Sequence, residues 1–220
     1  MRLRDQLDAL RADRLGHSPR EVVMVRARAV EQLDSSGLAE LAIRAGDRGP
    51  SFRLRDGGGI AFSSLHALRS GPLLVVFYRG RWCPYCNLEL RAIQSASPDI
   101  RALGARIVAV SQQTSDESLR TERLNALSFP SLVDRGGRVA RAFGLRWKVP
   151  DELRAVEKRC DADLAVFNGE PSWTLTMPAR YIVATDGTVE YADISIDHTR
   201  RGDPSDLFPV LSQLAGRAAH

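Results

Sequence analysis

Cys83-Pro84-Tyr85-Cys86 comes directly after the most apolar run of the chain, Leu73-Leu74-Val75-Val76-Phe77-Tyr78. A short run rich in valine and aromatics reads as a central strand buried on both faces. Pro84 suits the first turn of a following helix, where its missing N–H has no partner to lose. The order strand, CxxC, helix therefore puts both thiols at or near a helix N-terminus, where unpaired N–H groups and the helix dipole favour a thiolate. Cysteines three apart across that turn lie on nearly the same face, close enough to pair. A zinc site would need two further soft ligands, and only Cys160 and four scattered histidines remain. The motif is read as a redox pair, with no metal and no organic cofactor.

At 220 residues the chain can bury a full core and suits one domain with an extension. The opening Met1-Arg2-Leu3-Arg4-Asp5 lacks the apolar segment of a secretory signal. No apolar stretch approaches the roughly 20 residues of a membrane span. Three cysteines, two of them in a CxxC, suit a reducing compartment, so a cytoplasmic location and no membrane partner are expected. The formal charge of +4 and pI near 9.3 raise nucleic acid as a partner. The bases are spread along the chain beside acids, as in Arg20-Glu21, and no nucleic-acid motif accompanies them. A solvated arginine-rich surface is the reading they support.

Residues 1–45 show helical periodicity through Leu3, Leu7, Leu10 and Leu15, then Val22, Val23, Val30 and Leu33. Ser18, Pro19 and Glu21 predict a capping box with proline at the first helical position. This N-terminal helical extension must bury its stripe on the body of the protein or on another subunit. From Gly46 a second region runs over 46–220. A hairpin is predicted over 52–62, strands over 73–78 and 106–110, and helices over 84–102 and from Thr114 to about 127. A short strand at 130–133, a short helix at 137–143, a hairpin through Asp186-Gly187 and a helix over 205–215 complete the pattern; 144–171 is the least readable stretch. The class is α/β, a mixed sheet with helices on both faces. The cysteines fall at the carboxyl end of a central strand, where such sheets place ligands.

These residues resemble a thioredoxin fold, and more narrowly the peroxiredoxin family (the alkyl hydroperoxide reductase and thiol-specific antioxidant group), over roughly 46–215. Gly46-Asp47-Arg48-Gly49-Pro50-Ser51-Phe52-Arg53-Leu54 resembles the family's opening GxxAPdFxL, and Phe77 to Cys86 lies without gaps on FYPxxxTxxC. In that register Cys86 takes the peroxidatic position and Glu89 matches an acidic residue three positions later. Arg180, six residues before Asp186-Gly187, resembles the arginine of RxxFxIDxxG, which in the family faces the thiolate. Two positions depart: Arg79 replaces the family proline and Cys83 its threonine. In exchange, Trp82-Cys83-Pro84-Tyr85-Cys86 resembles the thioredoxin and glutaredoxin motif, in which the first cysteine attacks and the second resolves.

The resemblance implies a thiol-dependent peroxidase acting on hydrogen peroxide or organic hydroperoxides, recycled by thioredoxin or another dithiol, and a homodimer. In that reading Cys86 forms a sulfenic acid and Cys83 condenses with it; as a thiol–disulfide oxidoreductase, Cys83 would attack and Cys86 release. Both orders stand at this point, with Arg180 the expected catalytic arginine and Trp82, Pro84, Tyr85 and Glu89 in support. Arg79 and Arg81 either add positive potential or are solvated charges. Cys160 reads as a free thiol with resolution of the sulfenic acid as its alternative role. Asp197-His198 before Thr199-Arg200-Arg201 reads as loop.

Overall fold

The structure is a computed structural model, and it describes residues 2–218. Two helices lead, α1 (Leu3–His17) and α2 (Arg20–Ser35), followed by a 3-10 turn at Leu38–Leu41. Then come β1 (Arg53–Asp56), β2 (Ala61–Ser63), α3 (Ser64–Leu68), β3 (Leu73–Phe77), α4 (Pro84–Ala102) and β4 (Arg106–Ser111). After these follow α5 (Ser115–Leu124), β5 (Ser131–Val133), α6 (Arg138–Ala142), β6 (Arg146–Lys148), α7 (Asp151–Arg159) and α8 (Leu164–Asn168). The last elements are β7 (Thr174–Thr176), β8 (Ala179–Val183), β9 (Val189–Ile194), a 3-10 turn at Pro204–Leu207 and α9 (Phe208–Ala218).

Seven strands form one sheet in the order β2-β1-β5-β4-β3-β8-β9, and β6 pairs with β7 apart from it. The mixed character arises at the centre, where β3 runs parallel to β4 and antiparallel to β8. Because side chains alternate along a strand, the unbroken apolar run of β3 feeds two cores. Leu73, Val75 and Phe77 pack with Phe52, Phe143 and Tyr181 on one face. Leu74 and Val76 pack on the other with Leu90 and Ile93 of α4 and Leu211 of α9. The same alternation on β8 sends Arg180, paired in register with Val76, toward the α4 face.

The extension packs on the body of its own chain. Leu3 and Leu7 of α1 join the α4 core, and Val22, Val25 and Ala29 of α2 pack on Leu153, Val156, Leu164 and Trp173. The predicted capping box at Ser18 does not form. Pro19 keeps an extended ψ of 141° and is itself the N-cap of α2, while the Ser18 N–H closes α1 on the Arg14 carbonyl. At α5 half of the predicted box exists: Thr114 Oγ1 accepts from the Glu117 N–H at 3.4 Å, but the Glu117 carboxylate turns to Arg81. The helix ends at Leu124, three residues short of expectation. The stretch 144–171 holds β6, α7 and α8, whose short lengths carry too little periodicity to read.

Leu7 is 2% exposed. Leu7→Ala is expected to cost about 2–5 kcal/mol of global stability by leaving a cavity between α1 and α4. Urea unfolding followed by circular dichroism checks this; a wild-type midpoint would mean that α1 contributes nothing to the cooperative unit.

Candidate active site

The chain leaves β3 through Tyr78-Arg79-Gly80-Arg81-Trp82 and enters α4 with Cys83 as its N-cap and Pro84 at the first helical position. This short loop is fixed from several sides. Gln113 Oε1 accepts from the Arg81 N–H at 3.0 Å, and the Gln113 amide donates to the Tyr78 hydroxyl at 2.6 Å. Arg81 Nε donates to Glu117 at 2.6 Å, and Asn87 of α4 donates to the Arg81 carbonyl at 2.7 Å. Gly80 has φ +153°, and a side chain there would meet Trp82 Nε1 at 2.5 Å. Glycine thus lets the indole fold back over the loop, where Arg79 stacks on it at 4.5 Å from the ring centroid.

Both thiols are free and buried, yet their surroundings differ. Cys83 lines a cleft of about 360 Å³ bounded by α1, α2 and the segment 197–199. Burial opposes its ionisation, but a hydrogen bond from Cys86 and the charges of Arg79 and Arg201 outweigh burial and lower its pKa to about 6. Cys86, one turn into the helix, is 0% exposed. Burial pushes its pKa well above the ordinary value, and the neighbouring Cys83 adds to that. The two shifts run in opposite directions, which favours the thiolate at Cys83 and the proton at Cys86.

The arginine that reaches a thiol is Arg201, whose Nη2 donates to Cys86 Sγ at 3.7 Å. Its Nε donates to Glu89 at 2.7 Å, and its Nη1 donates to the carbonyls of His198 and Arg200. Arg180 is fully buried, 3.7 Å from Glu89 and paired with Asp193; it makes no hydrogen bond to either thiol among the described residues. Where Arg180 was expected to face the thiolate, its ion-pair partners are these two carboxylates. Glu89 faces Arg180 with one oxygen and Arg201 with the other. Residues 195–203 carry Arg201 onto α4 from a loop after β9. Its signal in sequence was only Arg200-Arg201 before Gly202, which a loop reading absorbs.

The other expected residues are placed as follows. Tyr85 meets His198 edge-on with centroids 5.7 Å apart, and both line the cleft. Burial and the charges of Arg79, Arg201 and Arg26 hold the His198 pKa well below its usual value, so the ring is neutral. Cys160 is exposed, follows α7 and lines the same cleft as Cys83. Arg81 points away to Glu117, whereas Arg79 lines the cleft. Among the described residues no group of three or more His, Cys, Asp or Glu is arranged to hold a metal ion. None of the described helices is long and apolar enough to cross a membrane.

A CxxC at the mouth of a helix, on the carboxyl end of a central strand in a mixed sheet, defines a dithiol protein on a thioredoxin-like fold. The chain belongs to the AhpC/TSA family, whose model matches residues 45–192. Among curated proteins it is 27% identical over 111 residues to a chloroplastic peroxiredoxin Q of Sedum lineare, covering 50% of this chain and 57% of the relative. It is 29% identical over 106 residues to the thiol-disulfide oxidoreductase ResA of Halalkalibacterium halodurans, covering 47% of this chain and 58% of the relative. The chain thus spans less than two thirds of either relative's length. In fold it is similar to peroxidoxin BcpB of Mycobacterium tuberculosis, with a TM-score of 0.60 at 19% identity, covering 81% of this chain and 99% of that one.

Two outcomes test the site. Thiol alkylation by iodoacetamide is expected to rise with pH through a midpoint near 6 and to lose that limb in Cys83→Ser; the thiolate is present above the lowered pKa and protonated below it. A single limb near the ordinary thiol value would remove the electrostatic argument. Glu89→Gln is expected to lower stability by about 3–5 kcal/mol, because two buried arginines lose their shared carboxylate; urea unfolding reads the loss.

Proposed function

We propose that the protein is a thiol-dependent peroxidase that reduces organic hydroperoxides or hydrogen peroxide and is recycled by a thioredoxin-like or other dithiol reductant. One observation carries this reading: a buried thiol facing a small-molecule cleft at a helix start, with a second thiol one turn behind it. The Cys86 hydrogen bond and the charges of Arg79 and Arg201 lower the pKa of the first, while burial raises that of the second. Membership of the AhpC/TSA family and the similarity to peroxiredoxin Q support it. The Cys83 thiolate attacks the terminal peroxide oxygen, the O–O bond breaks, and the leaving alkoxide takes a proton from solvent to depart as the alcohol. Cys83 is left as a sulfenic acid. The Cys86 thiol then attacks the Cys83 sulfur, water leaves, and a Cys83–Cys86 disulfide remains for the external dithiol to reduce.

This order exchanges the roles that the family register assigns, and the reason is electrostatic. Cys86 has Glu89 close by, is shielded from solvent and retains its proton, while Cys83 carries the charge and the access. Arg201 serves both: it stabilises the charge on Cys83 and contacts Cys86. Arg180 acts through Glu89 as a positioning residue. The same asymmetry favours a second reading, thiol–disulfide exchange, in which Cys83 attacks a substrate disulfide and Cys86 releases it; the similarity to ResA supports that one. A reducing, cytoplasmic setting suits three free thiols. A homodimer is carried by the family resemblance, since Val22 and Val25 of the valine stripe are buried within the chain.

With one equivalent of cumene hydroperoxide, Cys86→Ser is expected to trap Cys83 as a sulfenic acid, read as a dimedone adduct on that residue. Cys83→Ser is expected to react no faster than a small free thiol. Adduct formation on Cys86 in Cys83→Ser at the wild-type rate would restore the register's order. Slow reaction of the wild type with every hydroperoxide, beside fast reduction of a disulfide, would select exchange.

A further inference from the structure

Arg79 is 5% exposed, lines the cleft beside Cys83, and lies flat on the Trp82 ring at 4.5 Å. Its carbonyl accepts from the Ser111 hydroxyl at 3.4 Å, but its guanidinium has no hydrogen bond or ion pair with any described residue. The arginines packed beside and beneath the motif each face a carboxylate. Arg26 is held by both oxygens of Glu157 at 3.0 Å, Arg81 by Glu117 at 2.6 Å, Arg201 by Glu89 at 2.7 Å, and Arg180 by Glu89 and Asp193. A guanidinium that lines a cleft without an anion of its own is free to pair with one that enters. The Cys83 thiolate offers it charge, but that charge disappears when the sulfur is oxidised. The cleft itself supplies the rest of the pattern. Leu15, Val23, Ala27 and Val30 give it an apolar wall from α1 and α2. Arg11 and Arg14 of α1, also on the lining, make no side-chain hydrogen bond or ion pair with a described residue. The carboxylates on the lining are engaged or peripheral: Glu157 holds Arg26, Asp197 pairs with Arg200 at 3.3 Å, and Glu31 is exposed.

We infer that the cleft takes an organic hydroperoxide bearing a carboxylate on an apolar body, with Arg79 as the anchor for the anion. This deepens the peroxidase reading and rests on it. About 360 Å³ suits a small organic acid and lies within the range of small-molecule sites. The planar guanidinium, braced by Trp82, presents paired N–H donors that match a carboxylate's two oxygens. The apolar wall covers the body of the molecule, and Arg11 and Arg14 draw the anion to the mouth. The carboxylate takes no part in the chemistry: it stays on the alcohol that leaves after Cys83 accepts the terminal oxygen.

The first experiment needs no turnover. Calorimetric titration of the reduced protein with 4-isopropylbenzoate and with neutral 4-isopropylbenzamide compares acid and isostere. The acid is expected to bind about tenfold tighter or better, as a desolvated charge-assisted pair provides. That preference is expected to vanish in Arg79→Gln and to return in part in Arg79→Lys. Equal binding of acid and amide by the wild type, or a preference that survives Arg79→Gln, overturns the anchor. The wild-type comparison decides the matter even where a variant folds poorly. The second experiment compares single-turnover oxidation by cumene hydroperoxide with oxidation by its 4-carboxylate, and re-reduction by 2-mercaptoethanol with re-reduction by 3-mercaptopropionate. Faster oxidation by the carboxylate, by a factor similar to the binding ratio, supports the substrate class. A preference confined to re-reduction places the acid on the reductant and overturns it. Reaction with neither hydroperoxide while the acid still binds removes the peroxidase reading and leaves the anion anchor standing.

Discussion

Glu89 is a carboxylate with 0% exposure, and the arrangement of the redox centre depends on it. It projects from the second turn of α4 to Arg201, which a distant loop brings in, and to Arg180, which rises from β8 beneath. Two buried cations around one buried anion leave a net positive centre, and Asp193 at the sheet edge moderates it through Arg180. Removing such charges from water costs several kcal/mol per ion, so each depends on the opposite charges beside it. These ion pairs tie three separate parts of the chain to the start of α4, while Glu89 Oε1 and Arg180 Nε and Nη1 make no hydrogen bond among the described residues. They also fix where Arg201 can stand, and so where its positive potential falls.

The potential is shared unequally by two thiols one helical turn apart. Burial alone would raise both, since a thiolate loses hydration that the interior does not replace. At Cys83 the sum of Arg79, Arg201 and the Cys86 hydrogen bond exceeds that penalty. At Cys86 the charge already on Cys83 and the nearby Glu89 work with burial, and Arg201 alone opposes them. The field thus favours a thiolate on the cleft side and a proton on the inner side. In the order proposed above, the inner sulfur gives up that proton to the departing water once its neighbour has lost its charge.

Local signals in the sequence reached far along this chain. The all-buried strand at 73–77, the helix starting at Pro84 and ending at Ala102, and the hairpin through Asp186-Gly187 were legible because pattern, cap and turn residues agree at each. Thr114 was legible as a cap for the same reason, though its Glu117 was drawn off by Arg81, a partner 36 residues away. Ser18 failed as a cap because Pro19 prefers an extended conformation and takes the boundary itself. The thiols were legible and Arg79, four residues before Cys83, was in view as a source of positive potential, but their polarity was not, since it also needs Arg201, which stands 115 residues beyond Cys86. Arg180 illustrates the limit well. Its place on β8 was read correctly in outline, and the alternation of the strand turns it to the α4 face; only the fold shows that its partners there are Glu89 and Asp193.

The leading helices change character once the cleft is considered. By packing alone, α1 and α2 add apolar burial to all three cores, Leu33 of α2 reaching the one that holds Phe77. By position, they also wall the space above Cys83, so that the same amphipathic helices present one side to the body and another to the site. An open thioredoxin-like surface would offer its thiol to a flat protein partner. Here the Cys83 sulfur faces a confined volume bounded by aliphatic side chains and arginines. Confinement raises the weight of each charge inside it, because fewer waters screen the field. Arg79 lies on that lining without a carboxylate partner among the described residues, so its charge is part of the field that an entering molecule meets beside Cys83.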